Sequence, residues 1–201
     1  MIAGFSEMKR EEYRMRLFIA VGLPRRVREG LLRDNALLRS RCLRGSFTRE
    51  ENLHLTLCFL GETASERLDR IKEALDAVSS PPLSLTVGKA GMFRSREGAV
   101  LWRAIEGPGL SELHKALSYG LEARGFPQEK RRFTPHLTIA RRAVLREGTD
   151  LRSLSSVLFS SKFTAREITL FLSEQENGIR RYTPIYRKAL GPQPDNRSSM
   201  C

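Results

Sequence analysis

Two short stretches, His54-Leu55-Thr56-Leu57 and His136-Leu137-Thr138-Ile139, repeat one pattern 82 positions apart. Their surroundings repeat with them. Shifting the first half by that interval lays a strand at 17–21 on one at 100–104, a helix at 27–43 on one at 110–123, and a helix at 65–77 on a weaker one at 149–159. The order strand, helix, His-Leu-Thr strand, helix, strand thus occurs twice. That order predicts an α+β fold of two similar lobes related by a pseudo-two-fold, each contributing one His-x-Thr to a shared central groove. Chance is a poor account of the tetrads, because Leu is only 28 and Thr only 10 of 201 residues. Two His-Leu-Thr runs among three histidines is a coincidence on the order of one in several thousand.

The remaining elements follow from periodicity and breakers. Leu17 to Val21 is a continuous apolar run closed by Gly22 and Pro24, the mark of a buried strand. Leu31, Leu32, Leu37 and Leu38 recur at near-helical spacing among arginines. Strands are predicted at 52–61, 83–87, 100–105 and 167–172, the last with an antiparallel partner at 181–189 across the turn dipeptide Asn177-Gly178. Ser79-Ser80-Pro81-Pro82 stops the helix at 65–77, and Leu113, Leu117 and Leu121 form the stripe of the helix at 110–123. A single bilobal domain is expected over 15–190, with an N-terminal extension at 1–14, where Met15 is an alternative start, and a flexible tail at 191–201.

Formal net charge is +12, carried by 28 Arg against 7 Lys. Arginine binds phosphate bidentately, so the excess favours an anionic partner, nucleic acid first. A solvated basic face with a codon bias towards Arg is the other reading, and composition leaves both open. Three cysteines without Cys-x-x-Cys spacing suggest neither a disulfide framework nor a zinc site and fit a reducing cytoplasm. No apolar run reaches the roughly 18 residues of a membrane span. With no His/Cys cluster at ligand spacing, neither metal nor other cofactor is expected, and the chemistry falls to side chains acting in a monomer.

In the stretch Arg131 to Arg142, strand alternation places His136, Thr138 and Ala140 on one face and Leu137, Ile139 and Arg141 on the other. Leu137 and Ile139 sink into a core, while Arg131 and Arg141 bracket the imidazole and hydroxyl as candidate phosphate ligands. His54 and Thr56 form the matching pair. Two imidazoles facing one groove divide into a base and an acid, each with a pKa that ordinarily lies near 6.5. Metal-independent phosphodiester cleavage suits them, with Thr56 and Thr138 on the nonbridging oxygens. His114, inside a helix, reads as structural.

On these residues the chain resembles the 2H phosphoesterase superfamily, and within it the RNA 2′,3′-cyclic phosphodiesterases formerly called 2′-5′ RNA ligases. Met15-Arg16-Leu17-Phe18-Ile19-Ala20, Asn52 to Leu57 with Phe59-Leu60-Gly61-Glu62, Arg131 to Arg141, and Arg181-Tyr182-Thr183-Pro184 carry the likeness. The resemblance implies a bilobal fold in which each lobe has an antiparallel sheet flanked by helices, with His54 as the proton donor to a leaving 3′ oxygen, His136 as the acceptor that activates water, and a 2′-phosphate product. It implies Thr56, Thr138 and Arg141 as phosphate contacts, although alternation sets Arg141 opposite His136 unless a bulge turns it back. The partner implied is RNA with a 2′,3′-cyclic phosphate end, with tRNA fragments and small cyclic nucleotides as candidates. A non-catalytic nucleotide- or RNA-binding module and a 2′-5′ ligase side activity are the competing functions. Two positions depart from the pattern: Cys58 stands where arginine is common, a loss of one groove contact, and Arg132 where proline is frequent.

Overall fold

The computed structural model describes residues 13–191; the expected extension and tail lie outside these, apart from residues 13, 14 and 191. The apolar run of the sequence becomes β1 (Arg14–Gly22), whose Leu17 to Val21 are all buried. Pro24 has its ring-fixed φ of −60°, and its carbonyl accepts from the amides of Val27 and Arg28, opening α1 (Arg25–Ser40). Val27, Leu31 and Leu38 turn inward at helical spacing. The chain then forms β2 (Cys42–Phe47), β3 (His54–Ala64), α2 (Leu68–Asp76), β4 (Leu83–Phe93), β5 (Ala99–Glu106), α3 (Leu110–Glu122), β6 (His136–Leu145), α4 (Leu151–Leu154), β7 (Lys162–Ala165), β8 (Glu167–Glu176) and β9 (Ile179–Ala189).

The differences from the periodicity-based expectations are local. The helix foreseen at 27–43 stops at Ser40, and Cys42 begins β2, a strand whose Gly45 and Ser46 carry little β-propensity of their own. Pairing with β6 makes it a strand, a tertiary override of local preference. The weak helix expected at 149–159 is the single turn α4, capped by Asp150 through the amides of Arg152 and Ser153, and β7, which the local sequence does not signal, pairs with β4. β4 runs on to Phe93 past a register shift, and Gly91 there makes room for an indole: a Cβ would lie 2.3 Å from the Trp102 ring.

All nine strands join one antiparallel sheet in the order β7-β4-β5-β6-β3-β1-β8-β9, with β2 on β6. The pseudo-two-fold falls between β6 and β3, which relates β5 to β1 and β4 to β8. Each lobe borrows a strand from the other half of the chain, since β4 pairs with β5 and β8 with β1. The lobes meet edge to edge through one pair, Leu55 opposite Leu137. Leu55, Leu57, Leu137 and Ile139 belong to the same core cluster as the helix residues Leu31, Leu38, Leu113, Leu117 and Leu121. The alternate residues of both tetrads stay partly open on the other face.

A polar bolt crosses this core. Arg103 on β5, 1% exposed, donates to an Asp34 carboxylate oxygen, to the Gly88 carbonyl from Nε (3.0 Å) and Nη2 (2.6 Å), and to the Phe159 carbonyl from Nη2 (2.6 Å). Asp34 Oδ1 accepts from the Phe159 amide at 2.9 Å. α1, β4, β5 and the segment leading to β7 are thereby tied at one buried point.

Candidate active site

Continuing the single Leu55–Leu137 register by one residue each way sets His54 across from Thr138 and Thr56 across from His136. Directly opposed Cβ atoms lie about 5 Å apart and diagonal neighbours roughly 7–8 Å apart. The two imidazoles therefore occupy one diagonal of a small quadrilateral and the two hydroxyls the other. All four side chains are intermediate in exposure, facing the open side of the sheet.

Both rings are held alike. His54 Nδ1 lies 2.8 Å from the carbonyl of Asn52, and His136 Nδ1 lies 2.7 Å from the carbonyl of Thr134, in each case the residue two before it. A carbonyl only accepts, so Nδ1 carries a proton in both rings and Nε2 is the atom left for chemistry.

The bulge that Arg141 requires is present, and it is present twice. On β6, Thr138 faces Trp102 and Ala140 faces Leu101, leaving Ile139 as an extra residue. On β3, Thr56 faces Ala20 and Cys58 faces Ile19, leaving Leu57 extra. Two consecutive side chains then point into the core, and the parity reverses beyond them. Ala140 is fully buried rather than beside His136 and Thr138, and Arg141 is exposed on the tetrad face, the reverse of strict alternation. By the same geometry Cys58 is 4% exposed with its Sγ 3.5 Å from Ser118 Oγ, so position 58 is a core position and costs the groove no contact. Phe59, 51% exposed, is the structural counterpart of Arg141.

The two lobes surround their histidines differently. Phe18 (4.8 Å between ring centres), Tyr182 (5.1 Å, edge-on) and Phe171 (6.4 Å) enclose His54. Phe93 (5.0 Å) and Trp102 (6.4 Å) flank His136. Burial is the main cause that pushes His54 down to about 4, opposed by its bond to the Asn52 carbonyl and aided by the charges of Arg141 and His136. His136 is lowered too, again chiefly by burial, with Arg141 and Arg131 adding to it. One guanidinium, Arg141, thus acts on both rings. Arg131 is 78% exposed at the rim and paired with Glu129. A cavity of about 680 Å³ opens beside His54, bordered by Phe171, Tyr182, Arg28, Arg166 and Arg187. The aromatic walls were not legible as site residues, because Phe18 and Phe171 lie in apolar runs that a core strand would show equally.

Two Nε2 atoms on one diagonal, two hydroxyls on the other and the Arg141 guanidinium give an arrangement that can receive a tetrahedral anion and set one imidazole nitrogen on either side of it. Among the described residues no group of three or more His, Cys, Asp or Glu is placed to hold a metal ion, and no helix is long and apolar enough to cross a membrane.

Comparison with known proteins points the same way. A family model described as the 2′-5′ RNA ligase superfamily matches residues 32–177. An Escherichia coli (strain K12) protein named RNA 2′,3′-cyclic phosphodiesterase is 33% identical over 87% of this chain and 96% of its own length. An Archaeoglobus fulgidus protein of the same name is 31% identical over 86% of this chain and 97% of its own. Among solved structures, E. coli LigT complexed with 3′-AMP superposes with a TM-score of 0.72 at 31% identity, covering 89% of this chain and 99% of that one. A Thermus thermophilus structure superposes with a TM-score of 0.75 at 28% identity, covering 88% and 98%. With matched tetrads, matched bulges and relatives aligned over nearly their full length, this chain belongs to the 2′-5′ RNA ligase superfamily, the 2H phosphoesterases.

Proposed function

We propose that this protein hydrolyses RNA 2′,3′-cyclic phosphate ends to 2′-phosphomonoesters by two-histidine acid-base catalysis without a metal. The observation that carries the reading is the crossed arrangement of His54 and His136 with Thr138 and Thr56 about the Leu55–Leu137 pair. Relatives named RNA 2′,3′-cyclic phosphodiesterase support it.

The cyclic phosphate sits over the quadrilateral with its nonbridging oxygens on the hydroxyls of Thr56 and Thr138 and on Arg141, whose charge offsets that of the oxygens. Water attacks phosphorus opposite the 3′ oxygen. His136 Nε2 removes the water proton as the P–O bond forms; the bond from phosphorus to the 3′ oxygen breaks, and the proton on His54 Nε2 passes to that oxygen. Each proton transfer contributes a factor of about 10²–10⁴ in rate. Arg131, already engaged by Glu129, adds positive potential at the rim rather than a direct contact.

The test is hydrolysis of adenosine 2′,3′-cyclic phosphate in ¹⁸O-water with EDTA present, followed by phosphorus NMR. A 2′-phosphate carrying one ¹⁸O is expected at an undiminished rate. A 3′-phosphate would reverse the leaving-group assignment, and binding without turnover would leave a nucleotide-binding module.

A further inference from the structure

The groove accounts for few of the arginines. Arg39 and Arg41 at the end of α1, Arg44 on β2, and Arg141, Arg142 and Arg146 on or just after β6 are all exposed. Pairing brings them together. Ser46 lies opposite Arg141 and Arg44 opposite Val144, and the Arg146 amide donates to the Arg41 carbonyl at 2.9 Å. Arg142 Nη2 lies 3.4 Å from Ser46 Oγ, and Arg39 lies over the ring of Phe47, itself opposite Ala140. Among the described residues none of the six meets a carboxylate within ion-pair distance. The carboxylates next in sequence are Glu147, one position beyond Arg146, and Asp150, which caps α4.

The cavity on the other side of His54 differs in kind. There Arg28 lies 3.5 Å from Glu50 and Arg187 3.3 Å from Glu167, so much of its positive charge is already answered. A polyanion is drawn to uncompensated charge. From Arg141, which acts on both histidines, to Arg146 is five residues, a reach of at most about 16 Å at roughly 3.3 Å per residue, since Arg142 between them has a φ of 52°. That reaches several successive phosphates at the spacing of about 3.4 Å per nucleotide in a stacked strand.

We infer that the β2–β6 edge is a track for the sugar-phosphate backbone of the RNA body, running from Arg141 at the cyclic end to Arg41, Arg44 and Arg146. Its ligand class is an RNA strand of several nucleotides, read through phosphate and not through bases. The inference rests on the proposed cleavage only for its direction, because the 3′-terminal phosphate must lie at the histidines. Charges on an edge strand also guard against sheet-to-sheet addition, and among the described residues β2 pairs with no strand but β6. Arg41, Arg142 and Arg146 lie outside β2, where edge protection does not call for them.

Arg41→Gln/Arg44→Gln separates these roles, since neither side chain makes a hydrogen bond or ion pair among the described residues, and Arg146→Gln extends the set. Two substrates are compared, adenosine 2′,3′-cyclic phosphate and a 12-nucleotide RNA ending in 2′,3′-cyclic phosphate; binding of the same RNA ending in a 3′-hydroxyl is measured against salt. The double variant should keep kcat/KM on the mononucleotide within about twofold and raise KM on the RNA about 5- to 50-fold. It should also flatten the dependence of log affinity on log salt by about 1.4, at roughly 0.7 per phosphate contact on a single strand. Unchanged RNA affinity and salt slope would overturn the track, as would variants that self-associate in sedimentation while binding RNA normally. Failure of the wild type to turn over either substrate would remove the proposed function yet leave the salt-dependent binding as a test of the track.

Discussion

Titration of the free protein reads the enclosure of His54 directly. The ring lies among Phe18, Phe171 and Tyr182, and burial takes its pKa from the ordinary 6.5 to about 4. The folded state therefore binds this proton less readily than the unfolded one. Stability from this group is full above pH 6.5 and is lost as pH falls towards 4, because the unfolded chain takes up the proton first. Between pH 7.5 and 4.5 the loss amounts to about 2–3 kcal/mol, from roughly 1.4 kcal/mol per pH unit of separation with partial protonation of the folded state at the lower limit. Urea unfolding of wild type and His54→Gln at both pH values isolates it, since the carboxylates and other histidines contribute equally to both proteins. The variant should lose about 2–3 kcal/mol less than wild type on acidification. In parallel, carbon-proton NMR of the three imidazoles, assigned with His→Gln variants, should place the midpoint of His54 near 4 and those of His114 and His136 below 6.5. A His54 midpoint at or above 6.5, or the same acid loss in the variant, would refute the burial argument.

Other perturbations probe the remaining links. His54→Gln and His136→Gln should each lower kcat on adenosine 2′,3′-cyclic phosphate by a factor of about 10²–10⁴ with circular dichroism and Tm little changed. Thr56→Val and Thr138→Val, which keep shape and remove the hydroxyl donor, should each cost about 10²-fold in kcat, measured on the same substrate. Asp34→Ala strands the Arg103 guanidinium in the core and should destabilise the fold by about 3–5 kcal/mol, lowering Tm by roughly 6–20 °C in calorimetry.

The tetrads, their spacing and the alternation around them were legible because each is a local signal repeated at a fixed interval. The crossing of histidine and threonine was not, since it depends on which residue of β3 meets which residue of β6, and only Leu55–Leu137 fixes that register. β2 escaped notice because Gly45 and Ser46 say nothing of a strand, and the partner that makes them one lies about a hundred residues away. The bulge was foreseeable as a need, from the wrong parity of Arg141, but its place at Ile139 shows only in the two buried neighbours Ile139 and Ala140. The depressed pKa of His54 had no sequence signal, because the three rings that cause it come from β1, β8 and β9.

Identical backbone devices in the two lobes do not by themselves tell an acid from a base. The same i−2 carbonyl fixes both tautomers and the same bulge follows both tetrads, so the division of labour must come from what surrounds each ring. Burial shifts His54 further than His136. The singly protonated free enzyme then holds its proton mainly on His136, whereas the proposed reaction uses the microstate with the proton on His54. Both microstates carry one proton, so they rise and fall together with pH, and kcat/KM should fall tenfold per pH unit above the upper macroscopic pKa whichever of them reacts. A substrate with a leaving group that needs no proton separates them. On bis(4-nitrophenyl) phosphate the variant lacking the acid should recover most of its lost rate, while the variant lacking the base stays slow. Recovery in His54→Gln supports the proposed roles. Recovery in His136→Gln instead would mean that the charged ring is the one the resting pKa values favour, and would exchange acid and base while leaving the quadrilateral and its phosphate chemistry as they stand.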